Sequence, residues 1–494
     1  MYYRFIDNEF IYANIMIGQR RKSLDNSQYG KAKKKIDQII TNIQKKGETL
    51  LPTESELCEI TKVSRNTIRS VLGDYVQQGL LTRIQGKGTF INENKKKINF
   101  LSSFITQPNG ESALGSILND FHINKGIEVV NKSYPYYYFI KKLIKDLING
   151  NSPDVIQVNP VFMKSLIKHE LLLEFDSDIK EINANKRFSN ELEINKTLEG
   201  TYAINWMYSP MMLFYNKKVF SMCGLDPESP PKTLEQMAKY AAIINQKDGY
   251  TGMCLPFTNN GVHFLRLYIF FLAFSGGFLD NLGNVVFDTK ENIEALTWLQ
   301  QTYQQSGLQQ KNNLYDARIL FANDRLGFLI DGPYCRNYFR EISNLDNDFD
   351  DHYGVTTIPV GPSGKPEGLL LTQALAIPRS AKDIEGGKSF IKHLTSTDMD
   401  WDFLFESTGM IPCAWANMDY QIIHDDIVKT SLKQIESATS DIFSHPVLPH
   451  MFSLFVAPIA EAVLHGEDIV ETLVFMKKLY RNYMQNADSL YLCF

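Results

Sequence analysis

Apolar and polar positions follow two regimes along the chain. In the first, residues 28–91, apolar positions recur at helical spacing in three short runs and then turn strand-like. Ile36, Ile39, Ile40 and Ile43 recur at intervals of three, one and three, one face of an amphipathic helix that should stop at Gly47. Pro52 and Thr53 open a second helix, with Thr53 as N-cap and Glu56 three residues on completing a capping box; it should end by Lys62. Ser64 caps a third helix whose buried stripe is Ile68, Leu72, Tyr75 and Val76, terminated by Gly79. A tight turn carrying Val63 joins helices two and three, the arrangement of a helix-turn-helix whose second helix enters a major groove. Residues 80–84 and 89–91 then read as strands around Gln85, Gly86, Lys87 and Gly88, a glycine-rich hairpin tip bearing a cation: a wing.

A second regime starts at Ile98, where strand-like and helical stretches alternate: strands at 98–105, 126–132 and 154–158, helices at 112–124, 141–149 and 161–169. Alternation of this kind predicts an α/β fold with a mainly parallel sheet. Ligands of such folds sit beyond the carboxyl ends of the strands, near a change in strand order.

Length and charge sharpen this division. At 494 residues with 44% hydrophobic and 22% charged side chains, the chain has material for about three folding units and is too apolar for a disordered one. Its formal charge is −5, but residues 28–97 carry 14 Lys/Arg against 7 Asp/Glu, a net +7, and residues 1–27 add +1. The remaining 397 residues therefore hold −13. A small basic head on a large acidic body implies that only the head meets a polyanion.

In the head, Arg65, Asn66, Thr67 and Arg69 fall outside the apolar stripe at the start of helix three. Arg pairs with guanine, Asn with adenine, and Thr reaches a phosphate or a thymine methyl. The segment LPTESELCEITKVSRNTIRSVLGDYVQQGLLTRIQGKGTFI resembles the winged-helix domain of the GntR family of bacterial transcription regulators over its whole length. The resemblance implies double-stranded DNA as partner and assigns DNA contacts to Arg65, Thr67, Arg69, Lys87 and Gly88; Ser64, Asn66 and Arg83 are further candidates on the same surface. One position departs from the family, which places Arg directly after the Glu of this motif. Here it is Ser55, which can meet a phosphate but cannot make a bidentate base contact.

Most of 98–494 resembles the family 1 extracellular solute-binding proteins, the maltose-binding-protein type. The segments that carry the likeness are SPDVIQVNPVFMKSLIKHELLLEFD, the YNKKVFSMCGLDPESPPKTLEQ block, GFLIDGPYCRNYF, GVTTIPVGPSGKPEG and TGMIPC, in the family's order. It implies a two-lobed α/β periplasmic-binding-protein-like (type II) domain, with strands crossing between lobes near 204–210 and 358–362. By the same resemblance the lobes close on a ligand like a hinged trap. Sugar-type ligands need aromatic faces and polar groups at the ring edge. Tyr334, after Gly332-Pro333, stands where the family often places a stacking aromatic, with Trp206 and Tyr208 at the first crossing. Asn159, Phe257 and Asn259 follow strand ends, and Asp331 and Gln373 could supply hydrogen bonds. With four tryptophans in the chain, a Trp-lined oligosaccharide groove is not favoured.

Other chemistries find little support. The sequence has no G-x-S-x-G or H-E-x-x-H, and GPSGK at 361–365 lacks the spacing of a phosphate loop. Asp346, Asp348 and Asp350 imitate a calcium loop, but its sixth position is Asp351 and its twelfth Thr357, so they read as a solvated acidic turn. Nine histidines lie apart without ligand spacing, and six cysteines are scattered with no CxxC. No enzyme, metal or cofactor is expected. Asp7, Asn8 and Glu9 interrupt the apolar opening that a signal peptide needs, and no stretch reaches about 18 apolar residues. The expectation is a cytoplasmic, non-membrane transcription regulator. Its domains are an unassigned extension at 1–27, a winged helix at 28–94 and an effector-sensing body at 98–494. It would act as a homodimer on an operator and respond to a small solute, a sugar or oligosaccharide. The alternative is a solute receptor of a carbohydrate ABC transporter.

Overall fold

The computed structural model describes residues 28–46, 48–77, 81–91, 97–103, 110–134, 136–175, 200–258, 260–306, 313–396, 399–413 and 419–490. Residues 1–27, Gly47, Gly79 and Asn259 lie outside the described residues.

The head consists of helices α1 (Gln28–Lys45), α2 (Glu54–Thr61) and α3 (Arg65–Gln77), followed by strands β1 (Leu81–Ile84) and β2 (Gly88–Ile91). Thr53 caps α2 through the full capping box with Glu56, and α2 ends where Lys62 turns left-handed at φ 57°. The Ser64 hydroxyl accepts from the Thr67 amide at 3.3 Å and so caps α3. Ala32, Ile36, Leu57, Ile68, Val71, Leu72, Tyr75 and Leu81 close a small core. Val71 fills the place expected for Val76, which stands exposed. Two tyrosine hydroxyls fix α1 on α3, Tyr75 donating to Asp37 and Tyr29 to Asp74. The wing pairs antiparallel from Leu81 opposite Ile91 to Ile84 opposite Gly88. Residues before α2 also join it: Leu51 N donates to Thr89 O at 2.9 Å, and Ile91 N donates to Thr49 O.

Two sheets organise the body. The larger contains β3 (Lys97–Ser102), β4 (Glu128–Ser133), β5 (Val155–Val158), β6 (Ala203–Pro210), β11 (Gly368–Ala376) and β12 (Ile411–Pro412), ordered β12-β6-β11-β5-β3-β4, with β13 (Ala438–Thr439) beside β11. The smaller contains β7 (Met212–Asn216), β8 (Thr251–Met253), β9 (Leu326–Asp331) and β10 (Tyr353–Thr356), ordered β10-β7-β9-β8.

The larger sheet is mixed rather than mainly parallel. β3, β4 and β5 run parallel, whereas β11 is antiparallel to both β5 and β6. The reason is topological. β6 carries the chain out of this sheet into β7 of the other after only Met211, and β11 carries it back from β10, so neither belongs to a local strand-helix-strand repeat. Every residue of β6 and of β7 is buried, as expected of strands covered on both faces.

Residues 265–274 are apolar except for Arg266, and all but the last lie in the helix Gly261–Ala273, of which residues 263–273 are all buried. Among the described residues one helical stretch, Leu448–His465, is long and apolar enough to cross a membrane, and 72% of it is buried inside the protein. Its Phe455 and Phe452 rings meet Phe264, Phe278 and Phe287, the environment of a core helix.

Candidate functional site

The exposed cationic surface of the head is organised by a residue the sequence pattern passed over. Glu54, at the start of α2, accepts from Arg69 Nε at 2.9 Å and Arg65 Nε at 3.1 Å, and a terminal nitrogen of Arg83 in β1 lies 3.6 Å from its other oxygen. One carboxylate thus gathers cations from the recognition helix and the wing, leaving a fan of net charge +2. The arginine side chains stay 59%, 55% and 44% exposed for Arg65, Arg69 and Arg83, while Glu54 is 21% exposed beneath them. Partial burial pushes the Glu54 carboxyl up, but the hydrogen bonds from Arg69 and Arg65 outweigh it and hold the carboxyl below its ordinary value.

Ser55, Ser64, Asn66 and Lys87 are exposed on the same head, and Thr67 is half-buried with its hydroxyl 2.9 Å from that of Ser64. At the wing tip the Lys87 amide donates to Ile84 O at 3.0 Å. Gly88 has φ 119°, and a Cβ there would stand 2.9 Å from Leu50 Cδ1, so the wing's own backbone requires glycine at this position.

In the body, the expected ligand-wall residues separate into three groups. Asp331, at the end of β9, lies fully buried between two arginines: Arg266 reaches Oδ1 at 2.5 Å and Arg318 reaches Oδ2 at 2.8 Å. Burial pushes the Asp331 carboxyl up, but the charges of Arg266 and Arg318 dominate and bring it down to about 2. Tyr334, half-buried three residues on, accepts from Arg266 at 3.3 Å, and the Arg318 guanidinium lies 5.5 Å from its ring and 4.3 Å from that of Tyr338. Asp331 is thus an ionic tie between helices and sheet, with both oxygens engaged, in place of the ligand hydrogen-bonder expected from its position. Arg266, the lone charge in the most apolar run, was the available signal for this tie.

A second group lies on the larger sheet. Gln373 Oε1 accepts from Gln157 Nε2 at 3.2 Å, and Gln157 Oε1 accepts from the Ser103 amide at 3.1 Å. Asn159 caps the helix Pro160–Lys168, its side chain accepting from Val161 N at 2.8 Å. The remaining aromatics form the third group and are core residues in this conformation. Trp206 and Tyr208 are 0% exposed on β6, and Phe257 packs edge-on to Tyr303 with centroids 5.5 Å apart.

The lobes meet next to Tyr334. Asn337 Nδ2 donates to the carbonyls of Ser407 at 2.9 Å and Glu406 at 3.3 Å, at the end of helix Trp401–Thr408. Gly409, at φ 69°, lies so close that a Cβ would stand 2.8 Å from Tyr334 Cα and 2.9 Å from Pro333 O. Beside this contact is a cavity of about 400 Å³ lined by Arg336, Arg340 and Asn347 of one lobe and Phe405 and Glu406 of the other. The acidic run at 346–351 lies at its edge as a 3-10 helix, Asp346–His352. Asp350 is not a simply solvated residue there: it takes Arg336 at 2.6 Å and Arg340 at 2.5 Å. Among the described residues no group of three or more His, Cys, Asp or Glu could hold a metal ion.

Comparison with known proteins bears on both parts. Residues 107–400 match the family model described as bacterial extracellular solute-binding protein, and residues 28–91 match that of bacterial regulatory proteins, gntR family. A binding protein of Brucella abortus is 24% identical over 315 residues, 62% of this chain and 73% of its own. An HTH-type transcriptional regulator of Bacillus subtilis is 48% identical over 66 residues, 13% of this chain and 27% of its own. The fold of the body is that of an ABC transporter solute-binding protein from Thermotoga lettingae bound with α-D-tagatose (TM-score 0.66, 21% identity, 80% of this chain and 99% of that one).

Proposed function

We propose that this chain, which belongs to the bacterial extracellular solute-binding protein family and carries a gntR-type head, is a DNA-binding transcription regulator whose body senses a small solute and modulates operator binding. The observation that carries this reading is the fusion itself. β2 of the wing ends at Ile91 and β3 of the body begins at Lys97, so the basic head and the acidic two-lobed body are joined within one chain by five residues.

A solute that binds the closed lobes better than the open ones shifts the body towards closure by its difference in affinity, and by no more than that. A tenfold change in operator affinity needs a coupling of about 1.4 kcal/mol, within the usual range of allosteric couplings. A winged helix reading a two-fold operator needs a partner at fixed half-site spacing, so the working form is a homodimer whose two heads closure repositions. The reading places the protein in the cytoplasm, where its DNA is, and gives it no catalytic step. A sugar or oligosaccharide is the solute class, supported by the half-buried ring of Tyr334 at the lobe contact and by the ligand named for the Thermotoga neighbour.

Fluorescence anisotropy with labelled duplex from the region upstream of the protein's own gene tests the reading. Preference for that duplex over a scrambled one at moderate salt is expected. Equal affinity for both, or none for either, would refute it.

A further inference from the structure

The DNA-reading face formed by α3 and the wing leaves a second cationic surface of the head unused. Gln28, Lys31, Lys35 and Gln38 recur every three or four residues along one face of α1, with Lys34 beside them. Together with Thr61, Lys62 and Val63 of the turn they line a groove of about 410 Å³ that contains no carboxylate. Lys35 Nζ donates to Thr61 O at 3.0 Å, closing its floor. Lys31, Lys34 and Lys62 have no carboxylate partner among the described residues. Several lysines of the body, among them Lys97, Lys142, Lys217, Lys290 and Lys477, pair with a carboxylate.

We propose that this α1–turn groove is a docking surface for DNA backbone phosphates, a clamp on the strand flanking the major groove that α3 enters. The inference rests on the DNA-binding reading above and deepens it. Placement supports it: Lys62 and Val63 directly precede Ser64 and Arg65, so inserting the start of α3 between the strands brings the turn to the groove's edge, where phosphates run. Rigidity supports it as well. α1 is fixed to α3 by the Tyr75–Asp37 and Tyr29–Asp74 hydrogen bonds and by Ala32 and Ile36 in the core, so its lysine face moves with the recognition helix. The charge complements phosphate: four ammonium groups line a groove with no carboxylate, beside the start of α3 rather than on its base-reading face.

The test is the salt dependence of DNA affinity for the full-length protein, wild type against Lys31→Ala/Lys34→Ala, with Lys33→Ala as a control on the other side of α1. Each lost phosphate contact reduces the slope of log K against log salt by about 0.9, so the double variant, which removes two lysines from each of the dimer's two heads, should lose about 3.6. It should weaken operator and scrambled duplex by the same factor, and Lys33→Ala should leave the slope near that of wild type. An unchanged slope in the double variant, with wild type still preferring its operator, overturns the clamp and leaves the regulator reading intact. Equal loss in the control would overturn it too, by showing a general charge effect. If inorganic phosphate at constant ionic strength raises the melting temperature of wild type but not of the double variant, while the slopes stay equal, the groove serves free phosphate and not DNA. A wild type that binds no DNA overturns both readings.

Discussion

The carboxylate of Glu54 lies 2.9 Å from Nε of Arg69, across the angle between the two helices of the helix-turn-helix. Arg65 and Arg83 share the same carboxylate, so three cations that would otherwise spread apart are held as one surface. Glu54→Gln removes the negative charge while keeping the side chain's shape. Its expected effect is a gain in affinity for scrambled DNA and a several-fold fall in the operator-to-scrambled ratio, because the freed arginines meet any phosphate but no longer share one orientation. Titrating both duplexes with the Glu54→Gln variant checks this. Weakening of both by the same factor would reduce Glu54 to a structural role.

Arg69 and Tyr334 lie in different parts of the chain and should separate its two activities. Arg69→Ala removes one base-edge or phosphate contact and should cost about 1–3 kcal/mol of operator binding without altering solute affinity. Tyr334→Ala should weaken solute binding and leave the solute-free protein's operator affinity unchanged. Anisotropy and calorimetry on the two variants measure both quantities. Equal damage to both activities by either substitution would contradict the division of labour.

Asp331 lies buried with two arginines upon it, Arg266 at 2.5 Å and Arg318 at 2.8 Å. Asp331→Asn would leave both guanidinium groups buried without a counter-charge, a defect that typically costs about 3–5 kcal/mol. Urea unfolding should show a fall in unfolding free energy of that size. A change under about 1 kcal/mol would mean the cations find other partners once the carboxylate is gone.

Acid should weaken the body before it affects the head. Burial lowers His263 to about 4, assisted by the Arg266 and Arg318 charges and opposed by its hydrogen bond with Thr258. Burial also lowers His445 to about 4, with Lys168 and His450 adding to the effect. Both fall below the ordinary value of 6.5, so the unfolded chain takes up protons first and unfolding is favoured as pH drops from about 6.5 to about 4. Thermal midpoints followed over that window should decline, and His263→Gln should flatten part of the decline. Parallel curves for wild type and variant would show that His263 does not carry it.

Much of this architecture was legible in the residues because it depends on local rules. Thr53 and Glu56 announce their capping box by spacing alone, and the Gly-Lys-Gly tip announces the wing. The mixed sheet was not legible: the direction of β6 and β11 follows from the chain leaving one lobe and returning, a long-range fact that no window of residues contains. The site was half legible. Exposed Arg65 and Arg69 could be found as polar positions off an apolar stripe, whereas Glu54 could not, since its role is defined by what packs above it. Trp206 and Tyr208 show the converse. Their types suit a sugar wall, but β6 is covered on both faces, and burial is decided by neighbours far away in sequence. Arg266 was visible as a charge in an apolar run, yet its partner Asp331 is 65 residues distant.

Coupling between the DNA-binding head and the solute-binding body is read most directly from operator affinity. Operator affinity should be determined by anisotropy for the intact protein without solute and at saturating concentration of each member of a sugar panel. One sugar is expected to shift the dissociation constant several-fold in either direction, and operator DNA to shift the affinity for that sugar by the same factor. An operator-bound protein that binds a sugar tightly, with neither ligand changing the other's affinity, would contradict that coupling.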